Sequence, residues 1–97
     1  MDPKREKQVE QKLVRRVKAM GGIPLKLNPI GMNGIPDRLI LLPNKEAFFI
    51  ELKAPGKKPR PLQIKRIEQL EKLGFRCFVL DNEKQIDEVL RDGIRSA

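Results

Sequence analysis

The alternation of apolar and polar positions along the chain predicts three helices and four strands. Apolar residues recur at three- and four-residue spacing in three stretches and alternate with polar residues in shorter ones. Glycine or proline residues lie between most of these stretches, where helices and strands commonly end. The strands over 38–42 and 46–53 form most simply an antiparallel hairpin. The predicted order is a helix over 3–20, strands over 23–27, 38–42 and 46–53, a helix over 61–73, a strand over 75–80, and a helix capped by Asp81 or Asn82 and running to about Arg91.

The strand over 46–53 is apolar on both faces, which is typical of a central strand covered by helices. Glu51 and Lys53 share one face at the end of this strand, because successive side chains point to opposite faces. A carboxylate in such surroundings needs a partner, since an unpaired buried charge is costly. Glu51 could therefore form a plain ion pair with Lys53 or Arg38, or it could bind a metal ion.

Length and charge favour a small domain with an anionic partner. The chain has 97 residues, the length of one domain spanning 1–97 with a single core. Lys and Arg outnumber Asp and Glu by 21 to 13, and the resulting charge of +8 favours nucleic acid over an anionic membrane. No apolar run approaches the roughly 18 residues that a membrane-spanning helix needs, and the first residues lack the apolar core of a signal peptide. We therefore expect a cytoplasmic protein.

The absence of histidine limits the chemistry that the chain can perform. There is no His and only one Cys, which excludes a Ser-His or Cys-His nucleophile and a zinc site built from His or several Cys. A catalytic metal would have to be bound by oxygen atoms, which favours magnesium or manganese. Asp37 provides a second acid ahead of Glu51 and Lys53.

A basic loop follows directly after Glu51. Between residues 51 and 66 there are six basic residues and one acidic residue. Most charge runs are simply solvated, but this one adjoins the candidate metal ligands, and we interpret it as a surface for phosphate groups. The candidate DNA-binding residues are Lys57, Lys58, Arg60, Lys65 and Arg66.

Polar residues also extend the apolar stripes of two predicted helices. Glu10 lies one turn before Leu13 on the first helix, and Glu6 lies one turn further out. Both could be solvated and paired with neighbouring basic residues. Gln63 extends the stripe of the second helix toward the strand end at Glu51, where it could orient water or a phosphate. The polarity that is usual at a helix start explains Gln63 nearly as well.

Three motifs and the order of elements resemble a known nuclease family. The motifs are Gly34-Ile-Pro-Asp-Arg-Leu39, Phe49-Ile-Glu-Leu-Lys-Ala-Pro-Gly56 and Pro61-Leu-Gln63. Together they are similar to the small stand-alone form of the VRR-NUC (virus-type replication-repair nuclease) family, within the PD-(D/E)xK superfamily, and the resemblance covers nearly the whole chain. It implies an α/β fold with a restriction-endonuclease-like core, in the order α-β-β-β-α-β-α, and a mixed central sheet flanked by helices.

The resemblance implies a phosphodiesterase that uses Mg²⁺, with Mn²⁺ able to substitute. Asp37 and Glu51 would bind the metal, and the backbone carbonyl of Leu52 would add a third oxygen. Glu10 best matches the acid that the family carries on its first helix, reaching the metal directly or through water. Glu6 is the other candidate for that acid.

The same resemblance gives roles to Lys53 and Gln63 and suggests a substrate. Lys53 would orient the nucleophile and stabilise the developing negative charge, and Gln63 would be a catalytic-site glutamine that supports a ligand or positions water. The stand-alone members resemble junction-resolving enzymes of bacteria and phages, which cut four-way (Holliday) DNA junctions as homodimers. Symmetric cutting needs two chains, because a chain this small has one active site. The first helix and the loop over 28–34 are the candidate dimer surfaces.

Two other functions are compatible with the sequence. The chain could be a sequence-specific endonuclease like a restriction enzyme, although its length leaves little beyond the core to read base edges. It could also be a nucleic-acid-binding module without catalysis. The presence of all three of Asp37, Glu51 and Lys53 disfavours the binding module.

Overall fold

A computed structural model describes residues 3–28 and 31–94. In this part of the chain the order of helices and strands is the predicted one. Several ends differ by one or two residues, and the last helix continues to Ile94, three residues beyond the predicted end. No helix within it is long and apolar enough to span a membrane. The elements are α1 (Pro3–Ala19), β1 (Ile23–Lys26), β2 (Arg38–Leu42), β3 (Glu46–Leu52), α2 (Pro61–Lys72), β4 (Arg76–Leu80) and α3 (Ile86–Ile94), with short 3₁₀ turns over Pro43–Lys45 and Glu83–Gln85.

The sheet is mixed, as predicted, with the strand order β1-β2-β3-β4. β1, β2 and β3 are antiparallel neighbours, and β4 is parallel to β3. The β2–β3 hairpin closes through the Pro43–Lys45 turn, where Asn44 and Lys45 have positive φ angles of 66° and 65°. The parallel pair needs a crossover connection, and α2 provides it.

The two faces of the sheet are covered differently. α1 and α3 pack on the face that carries Phe48 and Ile50, which we call the core face. α2 packs beside β4 on the opposite face, which carries Phe49 and Glu51 and which we call the α2 face. Phe49 is only partly buried there. The buried apolar core consists of Val9, Leu13, Val17, Ile40, Leu42, Phe48, Ile50, Leu52, Leu80, Ile86, Val89 and Leu90.

The last helix begins differently from the prediction. Asn82 takes an N-cap position, but it precedes the 3₁₀ turn Glu83–Gln85, and among the described residues its side chain makes no cap hydrogen bond. The Asn82 amide donates instead to Asp81 Oδ1 at 3.2 Å. The longer side chain of Gln85 reaches back over the turn, and its Oε1 accepts a hydrogen bond from the Asp81 backbone N–H at 2.9 Å. The side-chain contact with the backbone at this turn therefore comes from Gln85, whereas a cap at Asp81 or Asn82 would have accepted from an N–H two or three residues further on.

The loop between β1 and β2 is held against the start of α2. Arg66 Nε donates to the backbone carbonyl of Asn33 at 2.9 Å. Gly34 has a φ of 85°, and a Cβ at this position would lie 2.8 Å from Leu62 Cγ and 3.1 Å from the Leu62 carbonyl oxygen. Glycine is therefore required by the backbone conformation and by the close approach of α2. This contact fixes the chain just before Asp37.

Candidate active site

Asp37 and Glu51 lie together at one end of the sheet. Asp37 directly precedes β2 and Glu51 is close to the end of β3, and the antiparallel hairpin brings the start of one strand beside the end of the other. Asp37 Oδ2 accepts a hydrogen bond from the Leu52 backbone N–H at 2.7 Å. This bond fixes one carboxylate against the strand that carries the other.

Glu51 is almost completely buried, with 2% of its surface exposed. Its Oε2 atom lies 3.0 Å from Lys53 Nζ and accepts a hydrogen bond from Gln63 Nε2 at 2.7 Å. Its other oxygen, Oε1, is buried and has no hydrogen-bond partner within the described residues. The ion pair with Lys53 that the sequence suggested is present, and it leaves one carboxylate oxygen available to a further ligand.

Gln63 links Glu51 to the start of α2. The side chain is buried, and while its Nε2 donates to Glu51, its Oε1 accepts a hydrogen bond from the Arg60 backbone N–H at 2.8 Å. Pro61 follows Arg60 at the first helical position, where its missing N–H costs nothing. Both interpretations of Gln63 are therefore partly correct, because the same amide caps the helix and contacts a candidate metal ligand. With both of its ends engaged, Gln63 orients Glu51.

Burial raises the pKa of both carboxyl groups above their ordinary values. Desolvation is the largest cause for Asp37; the Leu52 N–H and the positive charge of Lys53 oppose it, while the negative charge of Glu10 adds to it. Desolvation is also the largest cause for Glu51, where the hydrogen bond from Lys53 lowers the pKa and the charge of Asp37 raises it. For both acids, desolvation thus raises the pKa by more than the positive charge of Lys53 lowers it.

Arg38 brings Glu10 to the edge of this site. Arg38 Nη2 donates to Glu10 Oε2 at 2.9 Å, and Nη1 donates to the Pro24 carbonyl at 2.8 Å. The two charged side chains are 13% and 25% exposed. Glu6, one turn earlier on α1, is also partly buried. Glu10 is close enough to raise the pKa of Asp37, but its carboxylate is already bound by an arginine.

Sequence reasoning considered Arg38 only as a partner of Glu51, and this pairing is wrong. Arg38 and Glu51 lie on opposite faces of the sheet, because Arg38 is paired in register with Ile50 and shares its core face. The alternation of side chains along β2 was the signal that could have directed Arg38 toward α1.

Two comparisons identify relatives of this chain, while no family model matches it. The chain is 44% identical over 79 residues to "Putative nuclease p44" of Acyrthosiphon pisum secondary endosymbiont phage 1, and the match covers 81% of this chain and 85% of that protein. A solved structure described as "VRR_NUC domain" superposes with a TM-score of 0.83 at 34% identity, covering 90% of this chain and 95% of that one. The chain belongs to the VRR-NUC nuclease family. The resemblance inferred from the three motifs and the predicted fold class are both confirmed.

Two carboxylates of this VRR-NUC chain, those of Asp37 and Glu51, suit a divalent cation. Within residues 3–28 and 31–94, no group of three or more Asp, Glu, Cys or His side chains is arranged to hold a metal ion. Mg²⁺ commonly uses one or two carboxylates and completes its coordination with waters and substrate phosphates. Asp37 and Glu51 meet that requirement, and the buried Glu51 Oε1 is an oxygen without a hydrogen-bond partner in the described region. Glu10 as a ligand stays a prediction.

The basic residues of the VRR-NUC chain divide into two groups. Lys57, Lys58, Arg60 and Lys65 are exposed around the loop that leads from β3 into α2. Arg66 is partly buried, and it donates to the Asn33 carbonyl and to Gln69 Oε1, both at 2.9 Å. The first group is available to a ligand, whereas Arg66 has a structural role that its charge alone did not reveal. The sequence did not predict the hydrogen bond that Arg66 makes to the β1–β2 loop at Asn33.

Proposed function

We propose that this nuclease is a Mg²⁺-dependent, structure-selective DNA endonuclease that resolves four-way junctions as a homodimer, with Mn²⁺ able to replace Mg²⁺. The observation that supports it most is the pair of carboxylates at one end of the sheet, the partly buried Asp37 and the buried Glu51, beside Lys53 and the start of α2. A site of two acids and one lysine is suited to the hydrolysis of a phosphodiester, whose transition state accumulates negative charge.

Asp37 and Glu51 would hold the cation, with the backbone carbonyl of Leu52 beside them. A bound divalent cation lowers the pKa of a water ligand and offsets charge on the scissile phosphate. The Leu52 N–H holds Asp37 at 2.7 Å, so that this carboxylate is oriented before any ligand arrives. Gln63 fixes Glu51 in the same way at 2.7 Å. Preorganisation of this kind avoids the cost of ordering the side chains during the reaction.

Lys53 would contribute positive charge on the substrate side of the site. Its ammonium group lies 3.0 Å from Glu51 Oε2, and 18% of the side chain is exposed. It is therefore anchored by the carboxylate but still reaches the surface. In this position it can orient the attacking water and stabilise charge that develops on the phosphate.

The exposed basic loop would place the DNA backbone across the site. Lys57, Lys58 and Arg60 follow Glu51 by fewer than ten positions and surround the entrance to α2. Contacts of this type neutralise phosphates without reading bases. This arrangement favours recognition of DNA shape, such as a branch point, over recognition of a base sequence.

The test is cleavage of a labelled four-way junction beside linear duplex of the same sequence, each with Mg²⁺, Mn²⁺ or EDTA. Wild type should cut the junction at paired positions with either metal and not with EDTA. Glu51→Gln should reduce cleavage by about 10³-fold or more and leave junction binding largely intact. Glu68→Gln removes one charge at an exposed position on α2 and is the matched control, for which activity should stay close to that of wild type.

Each other outcome would replace part of this proposal. Equal cutting of the duplex would make the chain a broader nuclease without junction selectivity. Binding without any cutting would favour the non-catalytic module. Undiminished cleavage by Glu51→Gln would remove Glu51 from the mechanism.

A further inference from the structure

The α2 face of the sheet is covered over only part of its width. α2 lies on the β4 side of this face. On the opposite side, the edge strand β1 leaves Ile23 56% exposed and Leu25 42% exposed. Large apolar side chains at such exposure usually mark a surface with a partner when they form one contiguous patch.

These side chains do form a patch with the neighbouring strand. In the register of β1 and β2, Ile23 is opposite Leu41 and Leu25 is opposite Leu39, and opposite residues place their side chains on the same face. Leu39 is in turn opposite Phe49, which identifies this as the α2 face. We call the surface formed by Ile23, Leu25, Leu39 and Leu41 the open half. All four of its residues are apolar, in a chain with a net charge of +8.

α2 forms a wall along one side of the open half. Leu62 and Leu73 are 42% and 74% exposed, and their spacing places them on the same side of the helix. That side is directed toward β1 and β2, because Leu62 lies against Gly34 in the β1–β2 loop. The exposed apolar surface therefore consists of a flat floor and an adjoining wall.

We propose that the open half packs against the open half of a second copy of this chain. The inference names the surface of the homodimer in the proposed function and depends on that proposal for its biological role. A twofold axis pairs each patch with itself, so an apolar floor needs no further complement. DNA is a poor occupant, because the open half offers no cation to a phosphate. Two sheets with apolar faces pack about 10 Å apart with their strands nearly aligned.

The wall determines how the two copies can be oriented. Rotation about an axis that runs along the strands stacks the two open halves and leaves each α2 beside the edge strand β1 of the other copy. Rotation about an axis across the strands would place the two α2 helices directly against each other and hold the open halves apart. An axis along the strands preserves their direction, and it therefore places both Glu51 sites at the same end of the dimer. Two active sites on one side can act on two strands of one junction.

The wall is also needed to make the interface large enough. Two strands are about 10 Å wide and four or five residues are about 15 Å long, so the floor alone is well below the roughly 800 Å² that each partner of a stable complex buries. Leu62 and Leu73 lie where the β1 edge of the second copy would pass. α1 offers less exposed apolar surface than the open half, since Val9, Leu13 and Val17 are buried in the core. The other predicted dimer surface, the loop over 28–34, includes residues 29 and 30, which lie outside the described residues.

The experiment measures self-association by analytical ultracentrifugation without DNA or metal. Wild type should form a dimer, and Ile23→Glu should weaken it by about 30-fold or more, as expected for a charge placed in the centre of an interface. Ile64→Glu is the matched control, because Ile64 is 46% exposed and lies on the side of α2 that is turned away from Leu62. It should leave the dimer affinity unchanged. A monomeric wild type, or equal effects of the two substitutions, would overturn the assignment.

A second set of variants tests the relative orientation of the two copies. It also distinguishes a lost interface from a misfolded variant. With the axis along the strands, Leu73 of one copy lies near Ile23 of the other. Leu73→Lys alone should weaken the dimer, and at 74% exposure this position can change with little cost to the fold. Combining Leu73→Lys with Ile23→Glu should restore association, because the opposite charges meet. An additive loss in the double variant would contradict this orientation.

The outcome for the surface is separable from the outcome for the nuclease. A monomer that still cuts DNA with Mg²⁺ would remove the interface and leave the catalytic proposal standing. If Ile23→Glu disrupts the dimer but the wild type never cuts DNA, the interface would be supported and the catalytic proposal overturned. If both proposals hold, the Ile23→Glu monomer should nick single strands of the junction and lose the paired cuts.

Discussion

The two faces of the central sheet differ in how deeply their residues are buried and in which residues they carry. On the core face Ile40, Phe48 and Ile50 are completely buried under α1 and α3. On the α2 face a buried carboxylate, Glu51, lies at one end and partly exposed apolar residues cover the rest. Apolar burial is thus concentrated on one face, while the other face carries a charged site and exposed apolar residues. Substitutions on the two faces should therefore affect different properties.

The largest expected contrast is between two adjacent phenylalanines. Phe48 is fully buried and packs edge-to-face on Phe78 with a centroid distance of 5.4 Å, and Phe49 packs on Phe75 at 5.8 Å but is only partly buried. Phe48→Ala should lower the free energy of unfolding by about 3–5 kcal/mol. Phe49→Ala should cost about half as much, since less apolar surface is lost. Urea titration of both variants provides the values, and equal losses would refute the division between faces.

A smaller effect concerns the charge pair between Arg38 and Glu10 at the edge of the site. A double-mutant cycle with Arg38→Met and Glu10→Gln should give a coupling of about 1–3 kcal/mol, because both groups are largely shielded from water. The exposed pair Arg16–Asp87, with side chains 49% and 59% exposed at a similar distance of 2.8 Å, is the control. Its coupling should be about 0–0.5 kcal/mol. Similar couplings for the two pairs would mean that burial does not strengthen the contact at Arg38.

The helices and strands could be predicted from local patterns, whereas the mixed sheet was implied by the resemblance to the nuclease family. The period of apolar residues identified the helices and strands, and the glycines and prolines marked their ends. Motif spacing also identified Asp37, Glu51 and Gln63, which the structure brings together at one sheet end. Their catalytic roles stay predictions.

The contacts between distant segments could not be read in the same way. Arg38 and Glu10 are 28 positions apart, and Arg66 and Asn33 are 33 positions apart. No periodicity relates such pairs, because they depend on how two elements dock. The start of α3 differs from the prediction for another reason. Asp81 and Asn82 are typical capping residues, but a 3₁₀ turn precedes α3, and Gln85 makes the contact with the backbone by accepting from the Asp81 N–H. Which of several adjacent polar side chains binds the backbone is not visible in a pattern of residue types.

The smallest expected effect is on the pH dependence of stability without metal. Burial raises the pKa of Glu51 in the folded protein, so the folded state binds this proton more tightly than the unfolded state. The corresponding stability is present below the unfolded-state pKa and is lost as pH rises through the folded-state pKa. Glu51→Gln lacks this loss, and its melting temperature should rise relative to wild type by a few degrees across that window. Melting curves at several pH values, with Glu68→Gln as the control for net charge, measure the difference.

Adding Mg²⁺ should then reduce that difference. The cation supplies the positive charge that the two acids lack, so it should raise the melting temperature of wild type more than that of Glu51→Gln. Equal shifts in the two proteins would mean that Glu51 is not a ligand.

Gly34 shows how a residue can belong to a catalytic motif without taking part in catalysis. It lies three positions before Asp37, but its positive φ and its contact with Leu62 connect it to a helix that begins 27 residues later. Anyone who transplants the Asp37 and Glu51 strands into another scaffold will have to move this glycine and its leucine as one unit. A scaffold that keeps the acids and replaces the glycine would separate the β1–β2 loop from the helix that supports Gln63. In protein engineering, the smallest part of the chain that can carry this site to another scaffold must therefore include more than the charged residues.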